Sequence, residues 1–162
     1  MGKTLITNAF LLTMDEHGRA FKKGDVLVEG NTISKVGRIG SGRGEGESPG
    51  RGGHPTHHSE EPAEVIDAEG KILLPGLINS HVHTSQQLGR GIGDDVPLLT
   101  WLHERTFPYE SSMNEEDSYV STLLTSLEQI RSGVTTFAEP GGQHLDGMGR
   151  AVSEIGLRGI LA

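Results

Sequence analysis

From Ile72 to Ala162 the sequence switches back and forth between short apolar runs and amphipathic helical stretches, a rhythm that few architectures satisfy. The runs are ILLPGLINSHVH, VTTFAE and LRGILA. Between them lie VPLLTWLHERTF, NEEDSYVSTLLTSLEQIRSG and a helical stretch from Leu145 to Ile155. Strand, helix, strand, helix, strand predicts parallel βαβ units with right-handed crossovers, which set successive strands side by side. A complete eight-unit barrel takes about 250 residues, or roughly 31 per unit, so the stretch after Lys71 holds fewer than three units. LRGILA opens a third strand.

The longest helix announces its own ends. Asn114 is a good N-cap, Glu115, Glu116 and Asp117 suit the positive end of the helix dipole, and Gly133 after Arg131 is a stop. Tyr119, Val120, Leu123, Leu124, Leu127 and Ile130 share one face at helical spacing, and that stripe is expected to pack against a sheet.

The N-terminal part reads differently. TLITNAFLLT is apolar and β-branched, and DVLVEGNTISKVG alternates Val26, Val28 and Ile33 around a Gly30-Asn31 turn, which predicts a meander or hairpin. Gly40 to Pro62 is dense in Gly, Pro, Ser and charge, too poor in apolar surface to offset its ordering entropy, and reads as a disordered loop. Its His54, His57 and His58 have nothing to pre-organise them as a metal tract. AEVIDAEGK then restores strand character, with Val65 and Ile66 resuming the interrupted sheet. The expected organisation is a partial β-sandwich domain over 1–70 with its insert at 40–62, followed by barrel units over 71–162.

His81 and His83 close the first apolar run. Alternate residues of a strand project from one face, so the two imidazoles converge while Val82 turns away. They lie at the strand's C-terminal end, where parallel α/β folds place their chemistry. Presented so, they can be neighbouring ligands of one Zn²⁺ or Fe²⁺. They can equally be two surface histidines, and spacing alone leaves both readings open.

Composition prunes the other chemistries. The 162 residues contain no cysteine, which removes disulfides, thiolate metal sites and cysteine nucleophiles. A net charge of −8 leaves no basic stripe for nucleic acid. The apolar run in MGKTLITNAFLLTMDEHG is cut short by Asp15 and Glu16, too soon for a signal peptide or a membrane span. The first six residues, MGKTLI, lack the Ser or Thr of a myristoylation signal. A cytoplasmic protein without membrane partners is expected.

LLPGLINSHVH resembles the first-strand motif of the amidohydrolase superfamily, whose members wrap a small β-sandwich around a barrel and build a metal site from an HxH on its first strand. HVHTSQQLGRGIGDDVPLLTWLHERTFPYE is similar to the branch of adenosine, methylthioadenosine and S-adenosylhomocysteine deaminases and s-triazine hydrolases. The resembling steps are Leu88-Gly89-Arg90-Gly91, Trp101-Leu102 and Pro108-Tyr109-Glu110, with GVTTFAE and GLRGILA further on. The likeness implies an α/β protein: N-terminal β-sandwich strands followed by the first two to three βα units of an incomplete TIM (β/α)8 barrel. It implies His81 and His83 as ligands of one divalent metal, Zn²⁺ or Fe²⁺. Glu110 would grip the ribose hydroxyls of a nucleoside, against a plain reading as a solvated helix-end charge. Trp101 would line the substrate pocket or simply pack, and Glu139 would stand beside the metal ligands. His103 and His144 read as surface residues.

The implied reaction is metal-assisted hydrolysis of a carbon–nitrogen bond in a small heterocycle: water acidified by the metal adds to the ring carbon and ammonia leaves. The cysteine-dependent zinc deaminase design does not fit. The family's remaining metal ligands and its acid–base residues come from later strands, so no catalytic residue is expected within this chain, and the chain alone is expected to be inactive. Three readings stand: the N-terminal part of a nucleoside deaminase; a relative with another leaving group, such as a guanine deaminase or a triazine chlorohydrolase; and a non-catalytic remnant that self-associates through open sheet edges.

Overall fold

A computed structural model describes residues 2–39 and 64–162; the segment read as a disordered loop, 40–62, with His54, His57 and His58, lies outside the described residues. The chain divides into two compact units, Met1–Pro75 and Gly76–Ala162.

The first unit is a mixed sheet. β1 (Lys3–Leu12), β2 (Ala20–Glu29) and β3 (Thr32–Gly37) form the antiparallel meander, with the chain reversing at Gly30, whose φ is 63°. β4 (Glu64–Asp67) and β5 (Ile72–Leu73) then lie parallel to β1, so Val65 and Ile66 do rejoin the sheet, opposite Leu5 and Ile6. Asn8 interrupts β1 as a bulge with φ 63°, and its amide donates to Asp67 Oδ1 at 3.0 Å. Ala9, Leu11, Val26 and Ala68 make the buried apolar contacts.

The β1–β2 loop is clipped by Asp15, which accepts from the backbone N–H groups of His17 and Arg19 and from the Arg19 guanidinium. Those bonds, the Arg19 backbone first, hold the Asp15 carboxyl down to about 2. A depressed folded value means the clip is fully made above the ordinary 3.8 and is lost only as pH falls through about 2. A carboxyl-detected NMR titration should place the Asp15 midpoint near 2; a midpoint at the ordinary value would mean the clip is absent in solution.

The second unit carries the βα units. β6 (Leu77–Asn79), β7 (Val134–Glu139) and β8 (Arg158–Leu161) pair in parallel in that order. A 3-10 helix, Thr84–Gly89, follows β6. Next comes a helical run of α1 (Leu98–Thr100), a π-helical segment (Trp101–Thr106) and α2 (Phe107–Ser112). α3 (Glu115–Arg131) and α4 (Leu145–Ile155) flank β7 in sequence. The π segment has a cause: Pro108 has no N–H to return to the preceding turn, and Phe107 N–H bonds Leu102 O, five residues back.

Two expectations need correction. ILLPGLINSHVH is not one strand: Pro75-Gly76 splits it into β5, which joins the first sheet, and β6, which joins the second. Pro75 withholds a ladder donor, and a Cβ at Gly76 would lie 2.2 Å from Thr135 Cγ2. The histidines therefore follow β6 and are not within it, although Val82 N–H still reaches Ala138 O on β7 at 3.0 Å.

The apolar stripe of α3 does not face a sheet either: Val120, Leu124, Leu127 and Ile130 are exposed. The opposite face, Ser118, Ser121, Thr122, Thr125, Ser126 and Gln129, is buried. Short hydroxyl side chains let the helix approach the 3-10 helix closely, and most find an oxygen there or on their own helix. Asn114 caps α3 as expected, in a reciprocal box with Asp117. Phe137, Met148, Ala151 and Val152 form the apolar core of the unit. No described helix is long and apolar enough to cross a membrane.

Candidate functional site

The C-terminal ends of β6 and β7 meet around one carboxyl group. Glu139, the last residue of β7, is 1% exposed, and a bare carboxyl at that depth would be costly. It is fully engaged. Oε2 accepts from Thr84 N–H and from Thr84 Oγ1 at 3.0 Å; Oε1 accepts from Gly141 N–H at 3.4 Å and lies 3.2 Å from His83 Nδ1.

That last contact sets the histidine's tautomer. With both Glu139 oxygens acting as acceptors, His83 Nδ1 is the donor of this contact, and a neutral ring would then leave the Nε2 lone pair for a ligand. The His83 side chain is one-third exposed. Buried carboxyl, imidazole N–H and free Nε2 are the arrangement that orients histidine ligands in metal sites. His81 sits beside it with ring centroids 5.1 Å apart, edge to face, and its backbone N–H bonds Asn79 Oδ1 at 3.3 Å. Among the described residues no group of three or more potential metal ligands is gathered, so the pair offers two donors.

Glu110 and Trp101 come from the helical run and do not touch the histidines directly. Glu110 Oε1 accepts from Gln86 Nε2 at 2.8 Å, which ties α2 to the 3-10 helix that starts at Thr84. Trp101 lines a cavity of about 210 Å³ together with Gln86, Gly89 to Asp94, Thr106 and Tyr109. A Cβ at Gly93 would lie 2.1 Å from Trp101 Cδ1, so the indole depends on a bare backbone there. Tyr109 donates to Ser85 O at 3.1 Å, and burial, reinforced by Asp117, pushes its phenol above the ordinary value. His103 and His144 are exposed, His144 with its Nε2 2.9 Å from Met113 O.

The sequence reading undervalued the residues around the pair. Thr84, immediately after His83, and the hydroxyls of α3 were not singled out. Their signal was present as Ser118, Ser121, Thr122, Thr125 and Ser126, a second helical stripe opposite the apolar one.

Residues 72–162 match the model of the amidohydrolase family. The chain is 41% identical over 141 residues to a 5'-deoxyadenosine deaminase of Methanocaldococcus jannaschii, covering 87% of this chain and 30% of that protein. It is 38% identical over 162 residues to a 5-methylthioadenosine/S-adenosylhomocysteine deaminase of Desulforamulus reducens, covering all of this chain and 34% of that one. Among solved structures, a zinc-bound adenosine deaminase from Xanthomonas campestris superposes with a TM-score of 0.79 at 24% identity, over 97% of this chain and 33% of the other, a likeness of fold. The chain thus spans about a third of the length of the relatives it matches.

Proposed function

Because the chain belongs to the amidohydrolase family, we propose that it forms part of a metal-dependent hydrolase of non-peptide carbon–nitrogen bonds, an aminohydrolase of a purine nucleoside or related heterocycle. The observation that carries this reading is the His83–Glu139 contact, which frees one imidazole nitrogen at the end of a parallel strand beside a second histidine. The relatives named as deaminases of adenosine derivatives support the substrate class.

His81 and His83 would hold one divalent ion, and an all-imidazole donor pair suits zinc, with Fe²⁺ as the alternative. Such an ion, when bound, supplies a water acidified toward neutrality. The chain's own residues have separate tasks. Glu139 fixes the His83 tautomer and ring plane. Glu110, aimed by Gln86, accepts from the ribose hydroxyls, and Trp101 gives an aromatic wall to the neighbouring cavity. A catalytic zinc site takes three protein ligands, so further donors complete it from beyond the described residues.

The partner is a small heterocyclic molecule in the cytoplasm, neither nucleic acid nor membrane: the chain carries net charge −8 and lacks cysteine.

The decisive experiment is metal analysis of a polypeptide in which this chain is continued to the length of its relatives. One equivalent of zinc or iron is expected, lost on His81→Ala and on His83→Ala; unchanged stoichiometry in both variants would remove the ligand assignment. In the same protein, Glu110→Gln is expected to weaken nucleosides by about 1.5–3 kcal/mol while sparing free bases. Equal losses for adenosine and adenine analogues would make Glu110 structural.

A further inference from the structure

α3 turns its hydroxyls inward and its leucines outward, an inversion that packing alone does not explain. Three of the buried hydroxyls converge on Thr84. Thr122 Oγ1 donates to Thr84 Oγ1 at 3.1 Å, while Ser121 Oγ and Thr125 Oγ1 donate to the Thr84 carbonyl at 2.8 and 3.2 Å. Thr84 and Thr122 are both fully buried, so water is not a competing partner for either.

Proton counting makes the arrangement directional. The Thr84 hydroxyl has one proton, and Glu139 Oε2 can only accept, so that proton points at Glu139. The lone pairs of Thr84 then receive the proton of Thr122. The order runs one way, Thr122 to Thr84 to Glu139, and at its far side the other Glu139 oxygen receives His83 Nδ1–H.

We infer that the hydroxyl face of α3, through Thr122 acting on Thr84, positions Glu139 so that His83 keeps its proton on Nδ1 and presents Nε2 outward. Thr122 is a positioning residue that touches neither substrate nor ligand nitrogen. The inference rests on the metal-ligand reading of His83 for its purpose and on the hydrogen bonds themselves for its content. Without the Thr122 donor, the buried Thr84 hydroxyl loses a hydrogen-bond partner, the seat it gives Glu139 Oε2 loosens, and Glu139 Oε1 is no longer held against His83 Nδ1.

The test uses the near-isosteric Thr122→Val, which deletes the hydroxyl, and Thr122→Ser, which restores it. The first readout is the His83 tautomer in the 162-residue chain, from two-bond ¹⁵N–¹H correlations of the imidazole, a quantity that core packing alone does not set. The parent is expected to show Nδ1–H alone, Thr122→Val a second population with Nε2–H, and Thr122→Ser the parent pattern. The second readout is the zinc dissociation constant of the continued polypeptide, expected to weaken about 10-fold in Thr122→Val and to recover in Thr122→Ser. Should Thr122→Val not fold, Thr122→Ala removes the same hydroxyl with less bulk. An unchanged tautomer and unchanged zinc affinity in the folded hydroxyl-deletion variant overturn the inference, as does failure of Thr122→Ser to rescue. A parent polypeptide that binds no zinc while its His83 tautomer still follows Thr122 sinks the proposed function and leaves the relay standing.

Discussion

Alanine at position 139 is expected to lower the stability of the Gly76–Ala162 unit by about 2–6 kcal/mol, about 1–3 for each of the two buried Thr84 donors it would strand. The cost does not come from lost packing. Glu139 gathers Thr84 N–H, Thr84 Oγ1, Gly141 N–H and His83 Nδ1 onto its two oxygens, and Thr84 is sealed from water, so its donors would be stranded. Urea unfolding of the chain measures the loss; a midpoint equivalent to less than about 1 kcal/mol of change would mean that water reaches these groups. Glutamine at the same site separates two roles. Its carbonyl can still accept from Thr84, but its amide turns a donor toward His83 and drives the ring proton to Nε2. A small stability loss of about 1–2 kcal/mol with metal affinity weakened about 10- to 100-fold is therefore expected for Glu139→Gln.

The second large effect is expected at Gly147, in the first turn of α4. A Cβ there would lie 2.3 Å from the backbone carbonyl oxygen of Glu115 at the start of α3. A flexible side chain could swing away, but a capped helix terminus cannot: Asn114 and Asp117 hold that turn, and Arg150 ties α4 to Glu116 and stacks on Tyr119 at 4.0 Å. Gly147→Ala should therefore cost about 3 kcal/mol, the upper end for overpacking, even though alanine is the better helix former. Gly149→Ala is the control, since its nearest neighbour would be Leu161 Cδ1 at 3.9 Å. If Gly147→Ala proves as stable as Gly149→Ala, the two helices are less closely joined than described.

What could be read in advance divides along physical lines. Signals carried by neighbours in sequence were legible: the Asn114 cap, the α4 limits, the Gly30 turn and the alternation that gives three parallel strands. So was the convergence of His81 and His83, since Val82 keeps the strand's hydrogen bonding beyond Asn79. Burial was not. The apolar stripe on α3 meets the usual criterion for an inward face, yet Leu124 and Leu127 are exposed, because the 3-10 helix offers carbonyls that attract hydroxyls. Glu139 lies 56 residues from His83, yet its place at the end of the second strand run already set it at the same edge, and the pairing of β6 with β7 brings the two together.

The π-helical segment between Trp101 and Thr106 has a consequence for how loops of this kind can vary. A π turn is an α-helix holding one residue more than its pitch allows, so Trp101 and Glu110 are separated by a phase as well as by a count. Deleting any one residue from 102–106 would let the segment relax into regular helix with Glu110 kept near its present phase relative to Trp101, whereas the same deletion in a regular helix would swing it by about 100°. Fold and charge would survive, and the carboxylate would still face Gln86. In such a run, the wide turn is slack that takes up a change of one residue without re-aiming what the site grips, whereas a point substitution at Glu110 would remove the grip itself.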